Sequence, residues 1–470
     1  MIVNVSKDIR IIDPTPTVCE WIKSNLVLRN PLYQKMKAMG KDETIRRKHI
    51  PQTISLCAND RGELIIPFGC AKAVWPFIGK AVVNTSFNDS GDMSIKNDKI
   101  SLPDGLYDYQ EEAVQAMQQA KGGVLVSPAG SGKTYMGIEL AKRIGKKTLW
   151  LCHTGDLLRQ AKSDILTLYP NAKIGLTTEG KLEIGEDFTV STVQTMVKID
   201  PSLYKDKFDV VICDECAHVV SAHTDMKMFG EVLSNIPARY KYGLTATPKR
   251  ADGMIKAMYI YLGANNEHLF DPTFKIDRSR VKTIEAIHEK VELVSGFSLS
   301  VLYKITDTTG TMVYNKLIDY LTKNNERTEK IIQNVIAMDK EGRKQVILCS
   351  RVEHCKYITE RLQELGYSAL LCVGKVSAKK REAILTQKVD WNIIVSTYSL
   401  LKEGVSVKDF DTLHLATPIK DRATIVQCAG RIERYKEDKN QPIVFDYVDT
   451  EIPYCEKIYI ERRRALKRRF

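Results

Sequence analysis

Ser127-Pro-Ala-Gly-Ser-Gly-Lys-Thr134 lies between the apolar run Gly123-Val-Leu-Val126 and a helical pattern from Tyr135 to Arg143. Strand, glycine-rich loop and helix in that order form a phosphate cradle. Glycine lets the backbone approach an anion closely, and a helix N-terminus presents unpaired N–H groups to it. Lys133 adds a point charge, and the Thr134 hydroxyl is a Mg²⁺ ligand in such loops. Ala129, Gly130, Ser131, Gly132, Lys133 and Thr134 are therefore expected to hold nucleotide phosphates. In the G-x-x-x-x-G-K-[ST] form the first glycine falls at Ser127, a departure. For the loop taken alone, a chance match in a Gly/Ser-rich turn is the other reading.

The rest of the composition narrows the class. A length of 470 residues sets a prior of about three domains. Net charge is +12 and the isoelectric point about 9.0, which favours a polyanionic partner, nucleic acid before membrane. No strongly apolar stretch reaches spanning length, and the first residues lack the layout of a signal peptide, so the expected location is the cytoplasm. Eleven cysteines are scattered and several sit inside apolar runs, which reads as buried thiols and not a disulfide framework. Cys213-Asp-Glu-Cys216 has no second pair at zinc-finger spacing.

The expected architecture is α/β. Residues 1–100 read as a small N-terminal accessory α+β domain, with short β-like runs, a basic helix from Leu32 to Met39 and the cluster Arg46-Arg-Lys-His49. Those cations with Tyr33, Phe68, Trp75 and Phe77 suit contact with DNA backbone and bases. A solvated charged face beside an ordinary aromatic core is the alternative. A polar stretch from Asn88 to Pro103 reads as a linker. Apolar runs then alternate with helical patterns over 101–265, and again over 326–470, with a connecting region at 266–325. Near-continuous apolar strands between helices imply parallel sheets covered on both faces.

Val210-Val-Ile-Cys-Asp-Glu-Cys-Ala-His218 is the second informative stretch. A strand ending in Asp214-Glu215 brings two carboxylates to the carboxyl edge of a sheet, where α/β ligands bind. Asp214 suits Mg²⁺, and Glu215 suits orienting or deprotonating an attacking water.

Asp214-Glu-Cys-Ala-His218 resembles the D-E-x-x-H box of superfamily 2 helicases and translocases, and Gly243-Leu-Thr-Ala-Thr-Pro-Lys-Arg250 with Asp252-Gly253 resembles their T-A-T-P-x-R-x-D-G string. Tyr109-Gln110 is similar to the adenine-recognising Y-Q, Leu157 to Gln160 to the L-x-x-Q segment, and Ser396-Thr397 through Glu403-Gly404 to the fifth motif. Gln427-Cys-Ala-Gly-Arg-Ile-Glu-Arg434 is similar to Q-x-x-G-R-x-x-R. The resemblance implies two tandem RecA-like domains that clamp Mg²⁺-ATP, with Lys133, Asp214, Glu215, Gln427, Arg431 and Arg434 in hydrolysis and Gly404 in nucleotide binding. It further implies nucleic-acid contacts at Gln160, Thr195, Thr245, Thr247, Arg250, Arg351 and Thr397. Arginine suits the charge on a transferring phosphoryl because it stays protonated. Where the family often has Arg, this chain has Tyr107, which favours stacking of the adenine; Ser406 replaces a common acidic residue and puts a ribose contact there in doubt.

Within the superfamily the string is more like phage branch-migration helicases and excision-repair translocases than RNA-dependent DEAD-box enzymes. A monomeric ATPase acting on single-stranded and forked or junction DNA, moving 3′ to 5′, is the expected function. An RNA helicase, the motor subunit of a restriction or other defence complex and a non-hydrolysing ATP-gated binding module are the alternatives. The run Glu461-Arg-Arg-Arg-Ala-Leu-Lys-Arg-Arg-Phe470 reads as a phosphate-gripping tail or a frayed end.

Overall fold

A computed structural model describes residues 1–178, 181–219, 224–246, 255–263, 269–374, 391–398 and 409–467. The chain forms two compact units, Met1–Arg280 and Val281–Phe470.

The first unit begins with β1 (Ile2–Val5), β2 (Asp8–Ile12), β3 (Val27–Arg29), β4 (Thr53–Ser55), β5 (Ala58–Asp60), β6 (Glu63–Pro67) and β7 (Val82–Thr85). Five of them make a mixed sheet in the order β5-β6-β2-β1-β7, and β3 pairs β4 separately. Helices Pro16–Leu26 and Ala71–Ile78 bury Val18, Ile22, Leu26, Val74 and Ile78 in the same core as Val3, Ile9 and Ile11 of the sheet.

The second layer system holds β8 (Gly122–Val126), β9 (Thr148–Cys152), β10 (Ile174–Thr177), β11 (Phe188–Thr192), β12 (Val210–Cys213), β13 (Tyr240–Thr245) and β14 (Phe274–Lys275). The sheet is parallel throughout, in the order β10-β11-β9-β12-β13-β8-β14. Strands β8, β9 and β12 are buried almost along their full length, which is why they read as continuous apolar runs and not as alternation. The order places β12 and β13 between β8 and β9, so the loops leaving β13 and β12 lie next in turn beside the loop that leaves β8, at the same carboxyl edge.

The N-terminal sheet is not loosely tethered to this one. Their apolar residues form one cluster, running from Val3 and Ile66 to Phe229 and Tyr259. The turn Phe68–Cys70 meets the end of helix Ile255–Leu262 so closely that a Cβ on Gly69 would lie 2.4 Å from the Gly263 nitrogen. Lys241, buried on β13, donates to the carbonyls of Leu233 (2.8 Å) and Lys7 (3.2 Å) and lies 5.3 Å from the centre of the Phe68 ring. The polar stretch after Asn88, expected as a linker, is pinned to the parallel-sheet domain. Asn88 donates to the Lys205 and Phe208 carbonyls, the Ser90 N–H to Asp209, and Ser94 to Asp187. Its polarity supplies these bonds, a role that composition alone does not separate from solvation.

The second unit has a parallel sheet of β15 (Ile287–Leu293), β16 (Gln345–Cys349), β17 (Ala369–Cys372), β18 (Ile393–Thr397), β19 (Thr412–Leu415) and β20 (Ile443–Asp449), in the order β15-β20-β19-β16-β18-β17. The stretch 266–325 is thus divided: β14 edges the first sheet and β15 edges the second. Helices Tyr314–Thr322 and Asn325–Lys340 follow one another closely and are separated because the Asn324 side chain caps the second. The C-terminal basic run is helical to Lys467 within Pro453–Lys467. Arg462 is buried against Asp446 and Leu466 packs in the core, so this part neither frays nor presents Arg462 to phosphate. Arg463 and Arg464 are exposed. Both units therefore carry the RecA-like parallel-sheet layout, preceded by a small mixed-sheet α+β domain.

Candidate functional site

At the end of β8 the chain turns over Ser127, whose N–H donates to the Thr245 carbonyl at the end of β13 (3.0 Å). The Ser127 and Ser131 hydroxyls, both buried, share a short hydrogen bond that closes the loop from within. A serine where a glycine is customary is thereby given a structural role. Gly130 (φ 84°) and Gly132 (φ 82°) take the left-handed conformation, and helix Lys133–Ile144 starts at Lys133 with Gly132 as its cap. Lys133 and Thr134 thus occupy the first turn, where amide donors lack intrahelical partners.

Tyr109 and Gln110 come from helix Asp108–Ala120 and reach this loop. The Tyr109 hydroxyl (3.1 Å) and the Gln110 amide (2.7 Å) both donate to the Ser131 carbonyl. The Gln110 carbonyl oxygen accepts from the Tyr107 N–H (3.0 Å), so the side chain also caps the helix start. Gln110 also fills the space beside Gly132, since a Cβ there would lie 2.4 Å from Nε2. The Tyr107 ring stacks on Tyr109 with centroids 5.8 Å apart and is 53% exposed, leaving an aromatic face open beside the loop.

β12 delivers the carboxylates. Asp214 is buried; its N–H donates to the Leu151 carbonyl and its Oδ1 accepts from the Glu215 N–H (2.9 Å). Burial first, then the adjacent Glu215 charge, raises the Asp214 carboxyl to about 7, with Lys133 opposing. Glu215 has φ of 48°, an unusual conformation for a non-glycine residue, and it lies at a functional strand end. Its Oε1 is 3.7 Å from Lys133 Nζ. Lys133, Asp214, Glu215, Ser131, Gly132, Tyr109, Gln110 and Thr245 are accordingly brought to one edge of one sheet. Cys213 and Cys216 are buried, with thiol pKa pushed up by desolvation, and Cys216 Sγ lies 3.1 Å from Met258 Sδ. These two behave as packed thiols.

The arrangement fits a magnesium nucleotide on two observations. The loop is a backbone cradle that a side chain at Gly132 would fill. Thr134 and Asp214 offer a hydroxyl and a carboxylate, the oxygen donors a hard cation takes alongside phosphate oxygens and water.

Other expected residues lie apart from this cluster. Gln160 is half-buried on helix Gly155–Leu168 after β9, and Thr195 sits in the short helix Val193–Met196 after β11, its hydroxyl 2.8 Å from that of Thr192. Both follow carboxyl ends of strands in the same sheet as the loop. In the second unit Thr397 ends β18 opposite Cys349 of β16, and Arg351 follows β16 directly. Arg351 is engaged by the Asp319 carboxylate (2.8 Å) and by Asn315, so contact with a phosphate there requires it to leave an existing ion pair. Gln427 and Arg431 are one turn apart on helix Arg422–Ile432. Arg434 lies beyond the end of that helix, bridged to Thr283, and its carbonyl accepts from Lys439 Nζ (3.1 Å). Thr247, Arg250 and Gly404 lie outside the described residues. Of the N-terminal aromatics, Phe68 faces Lys241 and Phe87 inside the fold, whereas Trp75 and Phe77 are exposed.

A phosphate loop with a strand-end Asp-Glu pair on one RecA-like sheet, followed by a second such sheet bearing a Gln-x-x-x-Arg helix, defines a nucleotide-dependent motor core. Two families match it in that order. The type III restriction enzyme res subunit matches residues 104–250, and the helicase conserved C-terminal domain matches 326–436. The chain is a member of the superfamily 2 helicases.

Among curated relatives, the "Putative ATP-dependent RNA helicase L396" of Acanthamoeba polyphaga mimivirus is 26% identical over 73% of this chain and 63% of its own length. The "Probable helicase D10" of Escherichia phage T5 is 28% identical over 68% of this chain and 66% of its own. The chain thus spans a little under two-thirds of the length of these two. The "ATP-dependent DNA helicase uvsW" of Enterobacteria phage T4 is 23% identical over 82% of this chain and 80% of its own. The crystal structure of T4 UvsW aligns with 100% of this chain and 98% of its own at 20% identity and a TM-score of 0.43.

Proposed function

We propose that this protein hydrolyses Mg²⁺-ATP to move along DNA and to unwind or branch-migrate forked and junction DNA. The observation that carries the hydrolytic part is the cluster of Lys133, Asp214 and Glu215 at the carboxyl edge of the first parallel sheet, beside the glycine cradle. Lys133 with the loop amides binds the phosphates, and Thr134 and Asp214 hold the metal, which when bound neutralises phosphate charge. Glu215 orients the attacking water and takes its proton. Tyr109 and Gln110 fix the loop through the Ser131 carbonyl, and the open Tyr107 face is where an adenine stacks. Arg431 and Arg434 supply cations to the transferring phosphoryl, with Gln427 beside them. Gln160, Thr195, Thr245 and Thr397 contact the strand backbone, which positions it without reading sequence.

The choice of DNA leans on the net charge of +12 and on the printed name of the T4 relative. RNA is the second reading, favoured by the name of the mimivirus relative. Among the described residues no helix is long and apolar enough to cross a membrane. The test is Mg²⁺-ATPase activity at one fixed salt concentration with single-stranded DNA, duplex, fork, four-way junction and matched RNA. Strongest stimulation by fork or junction is expected. Stimulation by RNA alone would overturn the DNA reading, and no turnover under any condition would overturn the motor.

A further inference from the structure

Where the N-terminal domain meets the first parallel-sheet domain, a cleft of about 880 Å³ runs between β3, helices Pro16–Leu26 and Pro31–Ala38, and helix Ile255–Leu262. Its polar lining is Ser24, Asn25, Arg29, Gln34, Lys35 and Lys256: three cations with hydroxyl and amide groups, and among the described residues no carboxylate. A cleft lined by one sign of charge focuses its field on an ion of the other sign. The second unit offers an instructive contrast. A pocket of about 610 Å³ there carries Lys344, Lys436 and Lys439, but the carboxylates Asp409, Asp411, Glu437 and Asp438 line the same walls and Lys436 is bound to Asp409. Its lining therefore has no cationic excess.

The first cleft is also built to hold its shape. Asn30, wholly buried, lies between the end of β3 and the start of helix Pro31–Ala38. Its Oδ1 accepts from the Leu32 N–H (3.0 Å), and its Nδ2 donates to the Pro51 carbonyl (2.7 Å). This fixes the turn that separates Arg29 from Lys35. On the opposite wall the exposed Lys256 places its Nζ 4.6 Å from the centre of the Phe270 ring, and both side chains line the cleft. Lys256 is in the first turn of the helix that follows, in sequence, Thr247-Pro-Lys-Arg-Ala-Asp-Gly253.

We infer that this cleft seats the phosphodiester backbone of the DNA on which the motor acts, with Arg29, Lys35 and Lys256 as its phosphate-contacting residues. The inference rests on the DNA-motor reading above. Charge complementarity selects the occupant: cations, hydroxyl and amides suit phosphate oxygens, and the single ring in the lining is already covered by Lys256, so bases have no platform here. The N-terminal domain and the first motor domain then grip one backbone from two sides, and because they share a core they do so as one piece.

The test is the full chain with Arg29→Gln, Lys35→Gln and Lys256→Gln together, titrated against fluorescent duplex DNA over a series of salt concentrations. Each lost phosphate contact lowers the slope of log affinity against log salt by about 0.9, so a fall of roughly 2 to 3 is expected, with affinity at least about tenfold weaker at low salt. An unaltered slope and affinity would overturn the proposal. Should the triple variant fail to fold, the single glutamine variants serve: each lowers the slope by about 0.9, and three unchanged slopes overturn it. Inorganic phosphate separates a polymer site from a small-anion site. A thermal shift by phosphate that disappears in the variant, with DNA slope unchanged, would overturn the DNA-backbone assignment. Wild-type protein that binds no DNA at all would remove the motor reading as well, whereas wild-type binding with an unaffected variant removes the cleft alone.

Discussion

Two buried carboxylates, Asp449 in the second unit and Asp214 in the first, are met in opposite ways. In the second, Arg327 and Asp449 are both fully buried, and the Arg327 Nε donates to both carboxylate oxygens at 2.8 and 3.1 Å while Nη1 donates to the Ala416 carbonyl at 2.8 Å. In the first, Asp214 is nearly as buried, yet its carboxylate is met by one backbone N–H, an adjacent like charge at Glu215 and a lysine that sits closer to Glu215. The Asp449 carboxylate is neutralised by a cation within the protein. The other is left short of donors and positive charge, which is the state expected of a site that takes a metal and phosphates as the missing partners.

The largest effect expected from this difference is on turnover. Lys133→Ala and Glu215→Gln should each lower ATP hydrolysis by a hundredfold or more, as loss of a charge-stabilising group or of the water-orienting base does. Glu215→Gln should still retain nucleotide, measured by equilibrium binding of a fluorescent ATP analogue. Unaltered turnover in either variant would break the comparison at its root. The corresponding test in the second unit reads stability. Asp449→Ala leaves a buried guanidinium unmatched and should cost about 3–5 kcal/mol in urea unfolding. Replacing both members, Arg327→Met with Asp449→Leu, should recover most of that loss, because neither charge then needs to be desolvated.

A smaller, pH-dependent effect distinguishes the unmatched carboxylate. The folded state raises the Asp214 carboxyl to about 7, so it binds the proton more tightly than the unfolded chain does. Stability therefore falls as pH rises from about 4 to about 7, and the penalty is complete above 7, at most about 4 kcal/mol for a shift of roughly three units. Asp214→Asn should stabilise the fold at pH 8 by on the order of 2 kcal/mol and give no gain at pH 4, while losing activity at both. Equal unfolding midpoints for variant and wild type at pH 8 would mean that the charge is compensated within the protein. In the wild type, apparent Mg²⁺-ATP affinity should rise with pH through about 7, since metal binding needs the ionised carboxylate.

Much of this was legible in the residues. Apolar runs located the inner strands of both parallel sheets but not the edge strands β10, β14 and β15, and the loop and the Asp-Glu pair fell at strand ends because motif and strand are contiguous in sequence. What escaped were partners fixed by tertiary structure. Arg462, in a basic run suited to a phosphate-binding tail, is matched by Asp446 from the core of the sheet. Arg351 is held by Asp319 from a helix more than thirty residues earlier. The pattern from Asn88 to Pro103 carried the polarity of a linker but not the Asp187 and Asp209 side chains that fasten it. Of the cleft, only Lys35 stood in a stretch already marked as basic, since Arg29 and Lys256 are isolated in sequence and meet through the fold.

Gln110 tests the same comparison at its smallest scale, because it divides support of the site from chemistry in it. Its side chain ties the Ser131 carbonyl to the Tyr107 N–H and occupies the space beside Gly132, so it is fully engaged by the protein. Gln110→Ala removes two neutral hydrogen bonds, each worth about 1 kcal/mol, and opens the contact beside Gly132. The phosphate loop then samples other conformations, and the cost falls on binding. The expected outcome is a several-fold rise in KM for ATP with kcat changed much less, and steady-state kinetics over an ATP series measures both. A kcat reduced as far as that of Glu215→Gln would show Gln110 acting on the hydrolytic step, and the distinction between internally matched side chains and those left for the ligand would fail at this residue.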